Sequence, residues 1–293
     1  MKIEIQRIGK TPIIAPHMDQ RMGANVNGPS LIEVPDWIEA PLGRLYLYFA
    51  HHDGRYIRLA FADDIAGPWR MHEAGVLPLA DSLFRGHIAS PDVHVDHQAK
   101  CIRMYFHGAD EPSGREGVQS TRVAVSSDGL AFAARPEVLG NPYMRVVRYR
   151  DWYLAMAMPG VFYRSRDGLT DFEVGPTLFD ANMRHAALMV RDDRLWVFYS
   201  QVGDVPERIL VSEIDLSADW QNWQTTAPTV VLEPETDYEG ADLPLRPSVR
   251  GLADQPVREL RDPCVFRDST GSFLLYSVAG ESGIGLARFS VRA

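Results

Sequence analysis

A unit of four short strands, written five times along the 293 residues, limits what this chain can fold into more than any other feature. The first strand of the unit recurs as "GPSLIEV" (28–34), "SPDVHVD" (90–96), "NPYMRVV" (141–147), "HAALMVR" (185–191) and "DPCVFRD" (262–268). An aromatic second strand follows each, as in "RLYLYFAHH" (44–52) and "RLWVFYS" (194–200). The third runs as in "YIRLAFADD" (56–64) and "GIGLARFS" (283–290). Runs of aromatic and β-branched residues bounded by Gly, Asp and Pro are the patterning of an all-β chain, and helical periodicity is nearly absent. The fourth strand has four copies, "AGVLP" (74–78), "PEVLG" (136–140), "PTLF" (176–179) and "TVVLEP" (229–234), and a segment of the same form opens the chain, "RIGKTPIIAP" (7–16). The pattern predicts an all-β, five-bladed β-propeller whose ring is closed by the N-terminal strand in the last blade. Residues 1–293 then form a single domain with blades starting near 28, 90, 141, 185 and 262. No stretch reads as a linker, and the longest irregular one, 234–260, is of the length usually kept for function or disorder.

In such a ring the first strand of each blade lines the central channel. Its leading residue sits at the mouth, where a strand-starting Pro is tolerated. The expected mouth is Asn27/Gly28, Ser90/Asp92, Asn141, Arg184/His185 and Arg261/Asp262. Antiparallel order brings the connections between second and third strands to the same face: "AHHDG" (50–54), "FHGADEPSGREG" (106–117), "MPG" (158–160), "SQVGD" (200–204) and "AGESG" (279–283). The opposite face receives plain charged turns such as "DHQAK" (96–100) and "RDDR" (191–194), so a site is expected on the first face.

Candidate residues follow from chemistry. Asp262, kept ionised by Arg261, suits a base or charge stabiliser, or else accepts backbone N–H bonds. Asp92 is a second carboxylate of the ring, catalytic or a structural clamp. His185, beside Arg184, titrates near neutrality and suits an acid or base, or else a hydrogen-bonded channel residue. Glu281 lies between glycines that permit close approach of a ligand, and Glu239 lies in the long loop. His51, His52 and Asp53 resemble metal ligands, with His94 and His107 as further partners, but adjacent strand residues point to opposite faces, so at most one of the first two histidines faces the pocket. Asn27, Asn141, Arg145, Arg184 and Arg261 would hold substrate hydroxyls. The stripes Tyr46, Tyr48, Phe49 and Trp196, Phe198, Tyr199 are core. No cofactor is required on this reading, though the axis leaves room for a structural ion.

A hydrophobic content of 45% with 24% charged residues is that of a soluble globular protein, and a net charge of −9 disfavours nucleic acid and anionic membranes as partners. Cys101 and Cys264 stand alone, without the spacing of a disulfide framework or zinc site. With no apolar leader in "MKIEIQRIGK", a reduced, cytoplasmic setting is expected.

The strand openings "GPSLI", "SPDV", "NPY" and "RDP", with closures such as "ADDIAGPW" (62–69), resemble the five-bladed propeller glycoside hydrolases of families 43, 32, 68, 62, 117 and 130. In family 43 the resemblance implies three carboxylates, at positions held here by Gly28 (beside Asn27), Asn141 and His185. The "RDP" motif resembles that of families 32 and 68, displaced from a middle blade to the last, and family 117 resembles this chain in having a histidine proposed as the acid. The implied function is cleavage of a glycosidic bond in a small oligosaccharide by a non-standard set. Asp262 would be base or stabiliser, with His185 or Glu281 as proton donor. A sugar-binding propeller without catalysis and a uronate lyase are the alternatives.

Overall fold

A computed structural model describes residues 2–111 and 118–292 of the chain. Residues 112–117, the end of the second-to-third connection in blade 2, lie outside the described residues. The described residues form five four-stranded antiparallel sheets. The innermost strands are Asn27–Glu33, Ile88–Asp96, Arg145–Tyr149, Met183–Arg191 and Arg261–Asp268. In the first four blades the strands follow one another outward in sequence order, while the fifth sheet takes its outermost strand from the chain's start. No helix among the described residues is long and apolar enough to cross a membrane.

Alternation along each strand explains why sheets stack radially. In the second strand of blade 1, Tyr46 and Tyr48 pack against blade 2, while Leu45, Leu47 and Phe49 pack against blade 5. A strand with period two thus buries both faces, one against each neighbouring blade. The buried apolar residues form five such interfaces, one between each adjacent pair of sheets. Each fully buried large side chain contributes roughly 1.5–3 kcal/mol, so these interfaces supply the main drive to close the ring. The Trp196, Phe198 and Tyr199 stripe is buried with them.

Polar contacts repeat with the blades. The Tyr48 hydroxyl donates to the Gly129 carbonyl of the next blade at 3.0 Å, and the Tyr105 hydroxyl to Gly168 at 2.7 Å. Both glycines end a Ser-x-Asp-Gly turn at positive φ, where the conformation suits a residue without Cβ.

The closing strand is Lys2–Arg7, paired with Ile284–Arg292. The expected segment 7–16 therefore starts five residues too late, although Ile8, Ile13 and Ile14 still bond to Leu286 and Ile284 beyond the strand. Ile3 and Ile5 supply the alternating apolar face that docks here, packing beside Phe289. Arg7 then turns into the long loop and donates to Glu239 at 2.8 Å.

Candidate functional site

Four of the innermost strands carry the same irregularity. Pairing with the second strand slips between Asn27 and Ser30, Ala89 and Asp92, Arg184 and Ala187, and Arg261 and Cys264. Such a slip is a β-bulge, which bends the strand and re-aims a side chain. Within the slips Gly28, Ser90, His185 and Asp262 have φ of 61°, 49°, 50° and 46°. In blade 3 Tyr143, two residues before the strand, takes the same conformation with φ 60°. For residues other than Gly this region costs roughly 1–2 kcal/mol each, and it persists where the surroundings fix it, often at functional sites.

Gly28, Ser90, Tyr143, His185 and Asp262 thus form the upper ring. The expected ring member Asn141 is a correction. Matching Pro142 to Pro29, Pro91 and Pro263 puts blade 3 two residues out of step. Asn141 instead donates its amide to the Met158 carbonyl at 3.0 Å. Asp92 lies two residues beyond its bulge, accepting from the Val146 amide at 2.8 Å and facing His94 Nε2 at 2.8 Å. It takes the clamp role between blades 2 and 3 and does not line the mouth. His94 goes with it, to an axial cavity of about 100 Å³ shared with Arg145 and Cys264.

Above the ring is a cavity of about 270 Å³. His52 and Asp53 line it from blade 1, His87 and Gln119 from blade 2, Tyr143 and Met158 from blade 3, and Arg184 and His185 from blade 4. The remaining wall is Arg250, Gly251 and Leu252 of the long loop. Backbone bonds between Ser248 and both Gly203 and Asp204 pin this loop over blade 4, and Arg184 and Arg261 donate to the Val249 and Gly251 carbonyls at 3.3 and 3.1 Å.

Three ring side chains touch in succession. Tyr143 lies with its ring 5.2 Å from that of His185, and His185 Nδ1 is 3.7 Å from Asp262 Oδ1. The Ser200 hydroxyl is 3.5 Å from the same nitrogen, and Ser277 donates to Asp262 at 3.1 Å. His107, buried below the lining, stacks on Tyr143 at 4.1 Å.

A buried charge network underlies the cavity. Arg184 grips both oxygens of Glu207, at 2.9 and 2.5 Å, and Ser200 donates to Glu207 at 2.6 Å. Arg261 is held by Glu259 and donates to Glu281 at 2.9 Å. Glu281 also accepts from Asn25 at 2.6 Å and Asn27 at 3.2 Å, and faces His52 Nδ1 at 3.2 Å. Arg145 donates to the Ser90 and Ala186 carbonyls, and its Nη2 has no partner among the described residues.

These surroundings separate the acids. Burial, then the Glu281 charge, pushes Asp262 up to about 6. Burial would raise Glu281 too, but the hydrogen bond and charge of His52, with Arg261 and Asn25, hold it down at about 2. Burial and then Arg184, Arg261, His52 and Arg145 keep His185 well below its ordinary range. Burial, then the charges of Asp262 and Glu281, raises the Tyr143 hydroxyl. Near neutrality Glu281 is therefore an anion and His185 a neutral imidazole. The expectation of Glu281 as proton donor fails on this count, because its partners favour the charged form.

His52 lines the cavity, while His51 turns away and accepts from the Asp53 amide at 3.0 Å. Glu239 stands apart from the mouth. It closes a capping box with Thr236 and accepts from Arg7 and the Tyr276 hydroxyl, each at 2.8 Å. Among the described residues no group of three or more His, Cys, Asp or Glu side chains could hold a metal ion. The sequence reading passed over Tyr143, Glu207, Glu259, His87 and Asn25. Glu207 follows the loop "SQVGD" by three residues, and an acid so close to Asp204 gives no local sign of burial.

No family model matches the sequence. Uncharacterized protein R118 of Acanthamoeba polyphaga mimivirus is 36% identical over 298 residues, spanning 90% of this chain and 83% of that protein. Among solved structures, a glycosyl hydrolase from Bacteroides ovatus superposes with a TM-score of 0.68 at 11% identity, covering 97% of this chain and 92% of that one. CoXyl43, a GH43 β-xylosidase/α-arabinofuranosidase from a compost microbial metagenome in complex with xylotriose, gives 0.63 at 13%, covering 98% and 94%. The GH43_1 enzyme from Xanthomonas citri complexed with xylotriose gives 0.62 at 13%, covering 96% and 91%. At these identities the likeness to the solved structures is one of fold.

Proposed function

We propose that this chain, which belongs to the same family as uncharacterized protein R118 of Acanthamoeba polyphaga mimivirus, is a carbohydrate-active propeller that hydrolyses a small glycoside in its mouth cavity. The observation that carries this reading is the contact series Tyr143–His185–Asp262, in which Tyr143 and His185 line the mouth cavity and Asp262 is buried behind His185. The fold shared with glycosidases, two of them solved with xylotriose, supports sugar as the substrate class. A volume of about 270 Å³ lies just below the ~300–1,000 Å³ typical of small-molecule sites, which suits a terminal sugar unit and exo action.

The protonation states assign roles. Above pH 6 Asp262 is largely ionised while His185 is neutral. His185 then accepts a proton from water in the cavity as the water oxygen bonds the anomeric carbon. The glycosidic C–O bond breaks, the leaving oxygen takes a proton from solvent, and the imidazolium returns its proton to solvent. Asp262 stabilises the imidazolium that results, as the acid of a catalytic triad does. Tyr143 keeps its proton and donates a hydrogen bond to a sugar oxygen. Glu281, fixed as an anion, holds His52 and Arg261 in place.

The test is turnover of a panel of nitrophenyl glycosides and oligosaccharides by the wild type, Asp262→Asn and His185→Gln. Loss of a general base costs about 10²–10⁴-fold. The reading expects a wild-type activity that rises through pH 6 and falls by at least about a hundredfold in either variant. Sugar binding without turnover in any of the three proteins would instead make the chain a sugar-binding propeller. Products absorbing as unsaturated uronates would make it a lyase.

A further inference from the structure

The charges around the cavity are not balanced evenly. Arg184 is neutralised by Glu207, and Arg261 by Glu259 and Glu281. Arg250 differs. It is exposed at the rim, and its one hydrogen bond among the described residues is from Nη2 to the Ala181 carbonyl at 2.6 Å. That bond, with the Ser248 and Val249 backbone anchors on its N-terminal side, fixes where the guanidinium stands and leaves its other donors over the cavity. Arg145, beneath the ring, also has only carbonyl acceptors. Two cations without a hydrogen-bonded carboxylate therefore sit above and below His185, against Asp53 on the blade 1 wall and Asp262 below.

We infer that the cavity takes an anionic sugar, one bearing a carboxylate or a phosphate, and that Arg250 receives the charged group and sets this specificity. The inference rests on the reading of the cavity as a sugar site. An arginine fork bonds planar or tetrahedral oxyanions in a bidentate manner that a hydroxyl cannot match. A neutral sugar would leave Arg250 facing solvent alone, whereas an anion gives it a counter-charge inside a partly enclosed space.

Calorimetric titration of the whole protein with three matched probe sets tests it: gluco-, galacto- and mannuronate, the corresponding hexose 6-phosphates, and the methyl glycosides of the neutral hexoses. At least one anionic probe is expected to bind about tenfold or more tightly than its neutral counterpart, and the set it belongs to tells carboxylate from phosphate. Arg250→Gln should shrink that ratio by about tenfold and Arg250→Lys by less, with thermal melts showing both variants folded. Equal affinity for neutral and anionic probes, or a ratio untouched by Arg250→Gln, overturns the specificity but leaves the sugar site standing. Absence of binding by every probe overturns both.

Discussion

Asp262 and Glu281 share one charge network, and their neighbours push them in opposite directions. Asp262 rises from 3.8 to about 6 through burial. Between those values the folded protein retains a proton that the unfolded chain has released. Stability therefore falls as pH climbs from about 4 to 6, and the penalty, about 3 kcal/mol, is fully present above that. Glu281, lowered from 4.5 to about 2, works the other way: its contribution, also about 3 kcal/mol, is present above pH 4.5 and is lost as pH drops toward 2. Urea melts should thus show Asp262→Asn more stable than wild type at pH 7.5, with the advantage gone by pH 4. Glu281→Gln should be less stable by about 3 kcal/mol at pH 7.5, because Arg261 and His52 lose a buried partner. The same sign for both variants at pH 7.5 would show that the network does not divide the two acids. Asp262 and His185 could be named from the sequence because each leads a repeated strand. Their protonation could not, since it depends on burial and on how near Glu281 comes to Asp262 and Arg184, Arg261, His52 and Arg145 come to His185, which no motif marks.

At the level of the strand, the mouth is made by bulges. Gly28 has φ 61° and lies so near blade 2 that a Cβ there would meet the Ser90 Cα at 3.0 Å. Gly28→Ala should therefore cost more than the roughly 1–2 kcal/mol of the left-handed conformation alone. Gly203 gives the reference: its φ is +91° but a Cβ would meet nothing within 4 Å. Denaturant midpoints should place Gly28→Ala below Gly203→Ala, and equal midpoints would mean that the contact with Ser90 relaxes freely. The bulge also explains where strand-by-strand reading went astray. In three blades Pro follows the bulged residue, as Pro29, Pro91 and Pro263 do, and in blade 3 that position is Met144. Pro142 precedes Tyr143 instead, so a match on proline selects Asn141. Only backbone conformation shows that Tyr143 is the ring member.

For the molecule as a whole, closure is the decisive contact. The strand Lys2–Arg7 covers the edge of Ile284–Arg292, and Arg7 ties it to Glu235 and Glu239 of the long loop whose other end walls the cavity. Removing residues 2–7 uncovers a nine-residue edge strand, with loss of about 5 kcal/mol from its hydrogen bonds and the packing of Ile3 and Ile5. Size-exclusion chromatography should then show edge-to-edge association, and a monomer as stable as wild type would mean the ring does not depend on this clasp. Five copies of one unit made the ring legible, because second strands such as Leu45–Ala50 are apolar at every position, which fits a sheet buried on both faces. Matching the segment 7–16 to the fourth strands of the other blades places the closing strand five residues late, because that segment also bonds to the last blade through Ile8, Ile13 and Ile14, while the alternating run Lys2–Arg7 forms the strand itself.

Everything functional here depends on the sugar occupying the upper mouth. Histidine-selective NMR on ¹⁵N-labelled protein, with each of the nine histidines assigned by substitution, reads that directly. On titration with a bound glycoside, the imidazole signals of His52, His87 and His185 should move, while His94 and His97 on the opposite face and His17 and His72 stay fixed. Shifts confined to His94 and His97, or none at His185, would contradict the account.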